Sequence, residues 1–273
     1  NYKDTSLLIG KKKYLYDLII LCTGPKSHLY EKLISGRAIA KNYNEVAITG
    51  YVNHNFAMNN PSQYFLKEGP LAFLPFNKKT FSYVWSLDKK FYLKNKDDLK
   101  EILKYKIKTF FKVKSKFNIF KIQSYPIHLI LQTQYYKKNI LILGEGIHSV
   151  HPLAGQGFNL VLRDIAKLYQ LIYHNIRLGL PLKNSLVLKQ FCEARKPENM
   201  IFGIGIDLTN AFFKKNKLLE PVKENIIRNI SKFESIKKIS KIISEKAYNF
   251  NEHFCTFIWT WTFWNSYNKI IRV

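Results

Sequence analysis

The sequence predicts a mixed α/β (α+β) fold, and three stretches of its 273 residues carry that prediction. Residues 139–173 open with the apolar run Ile140-Leu141-Ile142-Leu143, long enough for a buried strand and too short for a helix. They then switch to helical period through Phe158, Leu162, Ile165, Leu168 and Ile172, so the stretch reads strand, loop, helix. Residues 45–88 are rich in β-branched and aromatic residues broken by short polar turns. Residues 94–116 return to helical spacing through Leu99, Ile102, Leu103, Ile107 and Phe110, with a lysine-rich solvated face, and predict one amphipathic helix.

The remaining elements follow in chain order. Leu7-Leu8-Ile9-Gly10-Lys11 reads as a strand entering a turn, and residues 16–22, YDLIILC, as a second buried strand running into Thr23-Gly24-Pro25-Lys26-Ser27. Strands are expected at 46–52, 63–66, 69–76 and 81–86, and Phe73, Phe76, Tyr83 and Trp85 each read as ordinary sheet core. Residues 120–132 lead back toward the strand at 140. Past Tyr173 the chain reads helical, with Asn184 a plausible N-cap for residues 185–195. The aromatic stretch 254–264 fits a membrane-interface anchor, an edge strand or a divergent, frame-shifted tail.

The loop between strand and helix at 144–159 sits where an electron-rich ligand is favoured. The first amides of a helix lack internal partners and the helix dipole adds partial positive charge. Gly155 and Gly157 lack Cβ atoms, so backbone can approach a flat ligand. Open α/β sheets bind ligands at strand carboxyl ends. A plain βα turn has the same loop chemistry. His148 and His151 form H-x-x-H, but a metal site needs further ligands and only Glu145 is near in sequence. No G-x-S-x-G elbow or paired Cys/His arrangement for nucleophilic catalysis occurs.

Hydrophobic content of 47% marks a globular chain, long enough for one large or two small domains. The net charge of +25 attracts polyanions and anionic membrane surfaces. The excess is mostly scattered lysine, accompanied by much Asn, Ile, Tyr and Phe, a joint enrichment that fits AT-rich codon bias. With no Arg-rich recognition helix, RNP-type motif or zinc spacing, nucleic acid is not expected as a partner. Cys22, Cys192 and Cys255 are few and far apart, which suits a reducing compartment. No signal peptide or long uncharged span stands out, and the first residue, Asn, is expected to lie inside a longer protein or to follow processing.

Gly144, His148, Pro152, Gly155-Gln156-Gly157, Asn159 and Asp164 stand at the spacings of the pattern G-D-x-x-H-x-x-x-P-x-x-G-Q-G-x-N-x-G-x-x-D. This resembles the second flavin-binding motif of the flavin-dependent aromatic hydroxylases, the p-hydroxybenzoate hydroxylase superfamily. HPLAGQGFNLVLRD is most similar to the ubiquinone-biosynthesis hydroxylases among them. The resemblance implies that Glu145 takes the place that binds the flavin ribityl chain, and that Pro152, Gly155, Gln156, Gly157 and Asn159 line the ring edge. Gly24, Gly144, His148 and Phe158 complete the implied cofactor-binding set. Glu145 stands for the usual aspartate and Val161 for the second glycine of N-x-G. Thr23-Gly24-x-x-Ser27 resembles the family's A-D-G-x-x-S, with Thr23 in place of aspartate. EGPLAFLPF followed by YVWSL resembles its substrate-domain sheet, and Tyr125-Pro126-Ile127 its Y-P-L. Phe191, Arg195, Asp207 and Phe212 match later family positions, and the likeness fades after about Lys241. The family's G-x-G-x-x-G for the ADP half of FAD does not occur, so the chain is expected to be the carboxyl-terminal two-thirds or so of a family member.

The implied architecture is the FAD-binding hydroxylase fold with a truncated cofactor domain: residues 1–44 and 123–183 in that domain, 45–122 in a substrate-binding sheet, and 184–273 in a carboxyl-terminal helical region. The implied function is an FAD-dependent monooxygenase that uses NAD(P)H and dioxygen to hydroxylate a polyprenyl phenol precursor of ubiquinone. The cofactor carries the chemistry, so no catalytic side chain and no metal is assigned. Implied partners are that lipid substrate, a ubiquinone-biosynthesis complex and the membrane surface, with a cytoplasmic location peripheral on the inner membrane. The rival expectation is a non-catalytic remnant that binds a membrane or complex; a third is a basic nucleic-acid-associated protein.

Overall fold

A computed structural model describes residues 5–213 apart from 25–26, 34–37, 57, 59 and 185. The aromatic stretch 254–264, Cys255 and the expected helix start at Ser185 lie outside the described residues. In chain order the elements begin with β1 (Ser6–Ile9), β2 (Lys12–Leu15), β3 (Ile19–Leu21), α1 (His28–Leu33), β4 (Ile39–Asn53), β5 (Ser62–Leu66), β6 (Gly69–Asn77) and β7 (Thr80–Asp88). They continue with α2 (Lys89–Lys94), α3 (Leu99–Phe111), β8 (Asn118–Leu131), β9 (Tyr136–Lys137), β10 (Ile140–Ile142) and β11 (His148–Ser149), then α4 (Gln156–Arg177) and α5 (Leu186–Phe213). The class is mixed α/β.

The chain forms two compact units. The first takes the described residues up to Lys41 with His128–His151 and Gly155–Thr209; the second takes Asn42–Ile127, Pro152–Ala154 and the described residues from Asn210. The chain passes between them inside β4, β8 and α5 and on either side of the short turn Pro152–Ala154. The expected limits at 44/45 and 122/123 therefore fall a few residues away from the division. The expected separate helical region from 184 is also revised, because α5 belongs to the first unit as far as Thr209. Val187, Leu188 and Phe191 of α5 are buried in one core with Leu141 and Ile142 of β10 and Leu168 of α4.

In the first unit β1 and β2 form a hairpin turned by Gly10 at φ 60°, a conformation that suits a residue without Cβ. The Lys-rich partner β2 was not foreseen. β10 pairs in parallel with β3 and antiparallel with β9.

The second unit is built on strands in the order β8-β4-β7-β6-β5; β11 continues this order by pairing with the end of β8 inside the first unit. Register explains its core. Ile48, Gly50 and Val52 of β4 oppose Trp85, Tyr83 and Phe81 of β7, and these side chains alternate onto one face. That face packs on Leu103 and Ile107 of α3. Gly50 is required opposite Tyr83, since a Cβ there would stand 2.7 Å from the Tyr83 hydroxyl and 3.0 Å from the Phe120 carbonyl. Phe73, Tyr83 and Trp85 are core, as expected. Phe76 is not: it is 75% exposed on the opposite face, beside Tyr51.

The helix expected over 94–116 is α3 (Leu99–Phe111), and a short helix that was not foreseen, α2 (Lys89–Lys94), precedes it. Asp88, the last residue of β7, caps α2 by accepting from the Lys90 and Phe91 amides at 2.8 and 3.3 Å. Asn95 ends α2, and the turn-forming Asn95, Asp97 and Asp98 separate it from α3. Conversely, α5 runs unbroken through Pro197, which cannot donate to the helix ladder.

Candidate functional site

The site begins at one edge of the small parallel sheet. Ile140 pairs with Ile19 and Ile142 with Leu21, and the Leu143 amide donates to the Leu21 carbonyl at 3.0 Å. Both strands therefore end together, and the turns Thr23-Gly24 and Gly144-Glu145-Gly146 leave from the same edge. Gly24 and Gly144 have φ of 79° and 82°, which turns the chain where a side chain would be strained. Gly24 and Gly144 are half-buried; Thr23 and Glu145 are exposed.

Tyr30 of α1 organises this edge, and nothing in the sequence pattern pointed to it. Its hydroxyl accepts from the Thr23 amide at 3.1 Å. A Cβ on Gly146 would stand 2.4 Å from the Tyr30 ring and 2.7 Å from Ile142. The second glycine of the turn thus makes room for Tyr30. The turn Gly144–Gly146 lies beside α4 and β11.

The start of α4 is the second component. Gly155 is its N-cap residue at φ 60°, and among the described residues no side chain caps the helix. The first amides of α4 are therefore left to an external acceptor, and the dipole points the same way. Space in front of Gly155 is open, and the nearest atom to a Cβ on Gly157 would be Val150 Cγ2 at 3.8 Å. Gln156 is 1% exposed; its Oε1 accepts from Asn159 Nδ2 at 3.3 Å, while its buried Nε2 has no partner among the described residues. Asn159 is buried, Phe158 is 68% exposed and Val161 is half-buried. Pro152 begins the 3-10 turn Pro152–Ala154, which belongs to the second unit and lies beside β7 there.

The third component is a buried polar network in the first unit. His148 Nε2 donates to Asp164 Oδ2 at 2.6 Å, and Arg195 Nε donates to Asp164 Oδ1 at 2.7 Å. Asn199 Nδ2 donates to both oxygens, at 3.1 and 3.4 Å, and accepts from Arg195 on its Oδ1 at 3.0 Å. Arg195 also pairs with Glu198, and Asn199 reaches the Tyr135 hydroxyl at 3.4 Å. His148 and Asp164 are essentially inaccessible, and Arg195, Asn199 and Tyr135 are buried. Burial pushes the Tyr135 hydroxyl up to about 12, and it does the same to the neighbouring Cys192 thiol. Asp164 and Arg195 were family matches without an assigned role; Tyr135 and Asn199 were not foreseen, because their contacts span 64 and 35 residues. Asp207, another family match, pairs with Lys41 at 2.8 Å.

Among the described residues no group of three or more His, Cys, Asp and Glu is arranged to hold a metal ion, and no helix is long and apolar enough to cross a membrane. The arrangement offers an uncapped helix terminus, an unpartnered buried amide donor and two glycine turns at a parallel sheet edge. It fits a flat, electron-rich ligand with acceptor atoms.

Residues 19–178 match the protein family described as FAD binding domain. The chain is 25% identical over 296 residues to the mitochondrial ubiquinone biosynthesis monooxygenase COQ6 of Dictyostelium discoideum, a match covering 85% of this chain and 59% of that protein. It is 32% identical over 93 residues to the 3-demethoxyubiquinol 3-hydroxylase of Escherichia coli K12, covering 34% and 24% of the two chains. Among solved structures, p-nitrophenol 4-monooxygenase PnpA from Pseudomonas putida superposes with a TM-score of 0.68 at 13% identity, over 84% of this chain and 59% of that one. The aromatic hydroxylase CabE from angucycline biosynthesis does so with a TM-score of 0.60 at 10% identity, over 82% and 45%. At these identities the structures share the fold. The chain spans 59% of the length of the Dictyostelium relative.

Proposed function

The chain belongs to the FAD binding domain family, and from that premise we propose that it holds the flavin-ring half of FAD in a monooxygenase that hydroxylates an aromatic ring. Gly24, Gly144 and Glu145 at the sheet edge, with Pro152, Gly155, Gln156, Gly157, Phe158 and Asn159 in the loop and first turn of α4, are the residues that would hold it. His148 stands at the same loop with its Nε2 committed to Asp164. When bound, FAD supplies the redox chemistry, with NAD(P)H as reductant and dioxygen as oxidant. The observation that carries the reading is the amino end of α4, which among the described residues has no side-chain cap and, beside it, a buried Gln156 amide with no partner. Its amides favour negative charge on a ligand edge. Glu145, exposed at the sheet edge, offers acceptors to a polyhydroxyl chain.

The substrate class proposed is a phenolic ring of a polyprenylated ubiquinone precursor. Two observations support it: the named activities of the relatives, and the outer face of the second unit's sheet. There Tyr51 stacks on Phe120 at 5.7 Å and meets the exposed Phe76 edge-on at 6.4 Å, a surface suited to an aromatic, apolar ligand. Such a substrate resides in a membrane, so peripheral contact on the inner membrane, and with it a biosynthetic complex, belongs to the same proposal. The test is incorporation of isotopically labelled dioxygen into a prenylated phenol, with NAD(P)H consumed in step. Thr23 and Val161, in places where the family carries aspartate and glycine, favour the second reading of a non-catalytic binding protein. Flavin retention without labelled product would support that second reading.

A further inference from the structure

The loop implied to hold FAD is tied at both ends to one buried carboxylate. His148 of β11 precedes it and Asp164 of α4 follows it, sixteen residues apart, and a 2.6 Å hydrogen bond joins them. Asp164 lies on the same buried stripe of α4 as Gln156 and Leu160, at intervals of four residues. Fixing Asp164 therefore fixes the rotation of the helix and the direction in which Gln156 and the first amides point. Arg195 and Asn199 hold the carboxylate from α5, on either side of Pro197. Their donors satisfy a charge that burial alone would make very costly. From this geometry we infer that His148, Asp164 and Arg195 are positioning residues: they clamp residues 149–159 and the start of α4 in the conformation that receives the cofactor, and His148 acts through Asp164 instead of touching the flavin. The inference rests on the flavin reading for what the loop receives, but the clamp itself is a property of the flavin-free chain.

With the Nε2 proton pointing at Asp164, the essential group at position 148 is an N–H donor at the reach of Nε2. Glutamine places its amide nitrogen near that reach; asparagine, one methylene shorter, does not. The experiment is backbone amide hydrogen exchange by mass spectrometry on the full flavin-free chain, comparing wild type with His148→Leu, His148→Asn and His148→Gln. Peptides covering 149–159 should exchange roughly tenfold or more faster in His148→Leu and His148→Asn, while sheet peptides of the second unit keep their rates and His148→Gln stays close to wild type. Should His148→Leu fail to fold, the contrast between His148→Asn and His148→Gln decides. Equal exchange in those two variants, whether fast or slow, overturns the clamp. A confirmed clamp in a chain that retains no FAD would overturn the flavin reading and leave the clamp standing.

Discussion

The Leu143 amide donates to the Leu21 carbonyl at 3.0 Å, continuing the parallel register of β3 and β10 beyond their last paired residues. This one bond brings together two turns that lie some 120 residues apart in sequence, roughly one small domain's length of chain. It holds because Gly146 admits the Tyr30 ring beneath the turn. Gly146→Val should therefore force either the ring or the turn to move, destabilising the chain by about 1–3 kcal/mol. Urea unfolding would show it as a lowered midpoint with unchanged slope; an unchanged midpoint would mean that the turn yields freely.

Arg195 compensates a carboxylate with no access to water. Arg195→Met should cost about 3–5 kcal/mol, because it leaves the Asp164 charge buried. Asp164→Asn in the same chain should recover part of that loss, giving a coupling of about 1–3 kcal/mol in the double-mutant cycle. Strictly additive effects would show that the two side chains do not depend on each other.

Tyr135 and Cys192 bind their protons more tightly in the folded chain than the ordinary values of 10.0 and 9.0, each pushed up to about 12 by burial. Below pH 9 both are protonated folded and unfolded, and their contribution to stability is fully present. As pH rises the unfolded chain ionises first, so stability should fall from about pH 9 to about pH 12. In Cys192→Ala the fall should begin about one pH unit higher, where Tyr135 starts to count. Thermal melts from pH 8 to 11 would check this; identical curves for the two proteins would refute the Cys192 part. In alkylation mapped by peptide mass at pH 8, exposed Cys22 should label well before Cys192.

Elements with a local signature were legible in the sequence. The run Ile140-Leu141-Ile142 forms β10, and the period from Phe158 to Ile172 lies within α4, because strand and helix periods are written in neighbouring residues. The loop glycines and Gln156 were legible through motif spacing. Helix α2 (Lys89–Lys94) was missed although Asp88 and Asn95 bound it, since six residues are too few to show an apolar period. Tyr30, Tyr135 and Asn199 carry no local signal: each is defined by a partner that only the folded chain supplies. The exposure of Phe76 was hidden for another reason. Alternation predicts two faces of a strand but does not say which one lacks a cover.

The central claim is that the loop and the amino end of α4 hold flavin. Gly157 tests it most directly, because a side chain there has room in the flavin-free chain, the nearest atom being Val150 Cγ2 at 3.8 Å. Flavin fluorescence quenching should be titrated with the wild-type chain and with Gly157→Val, alongside circular dichroism of both. The account predicts saturable, stoichiometric binding of FAD by the wild type, weakened by about tenfold or more in a Gly157→Val chain that still folds. Equal binding by the two chains, or no saturable binding by the wild type, would contradict it.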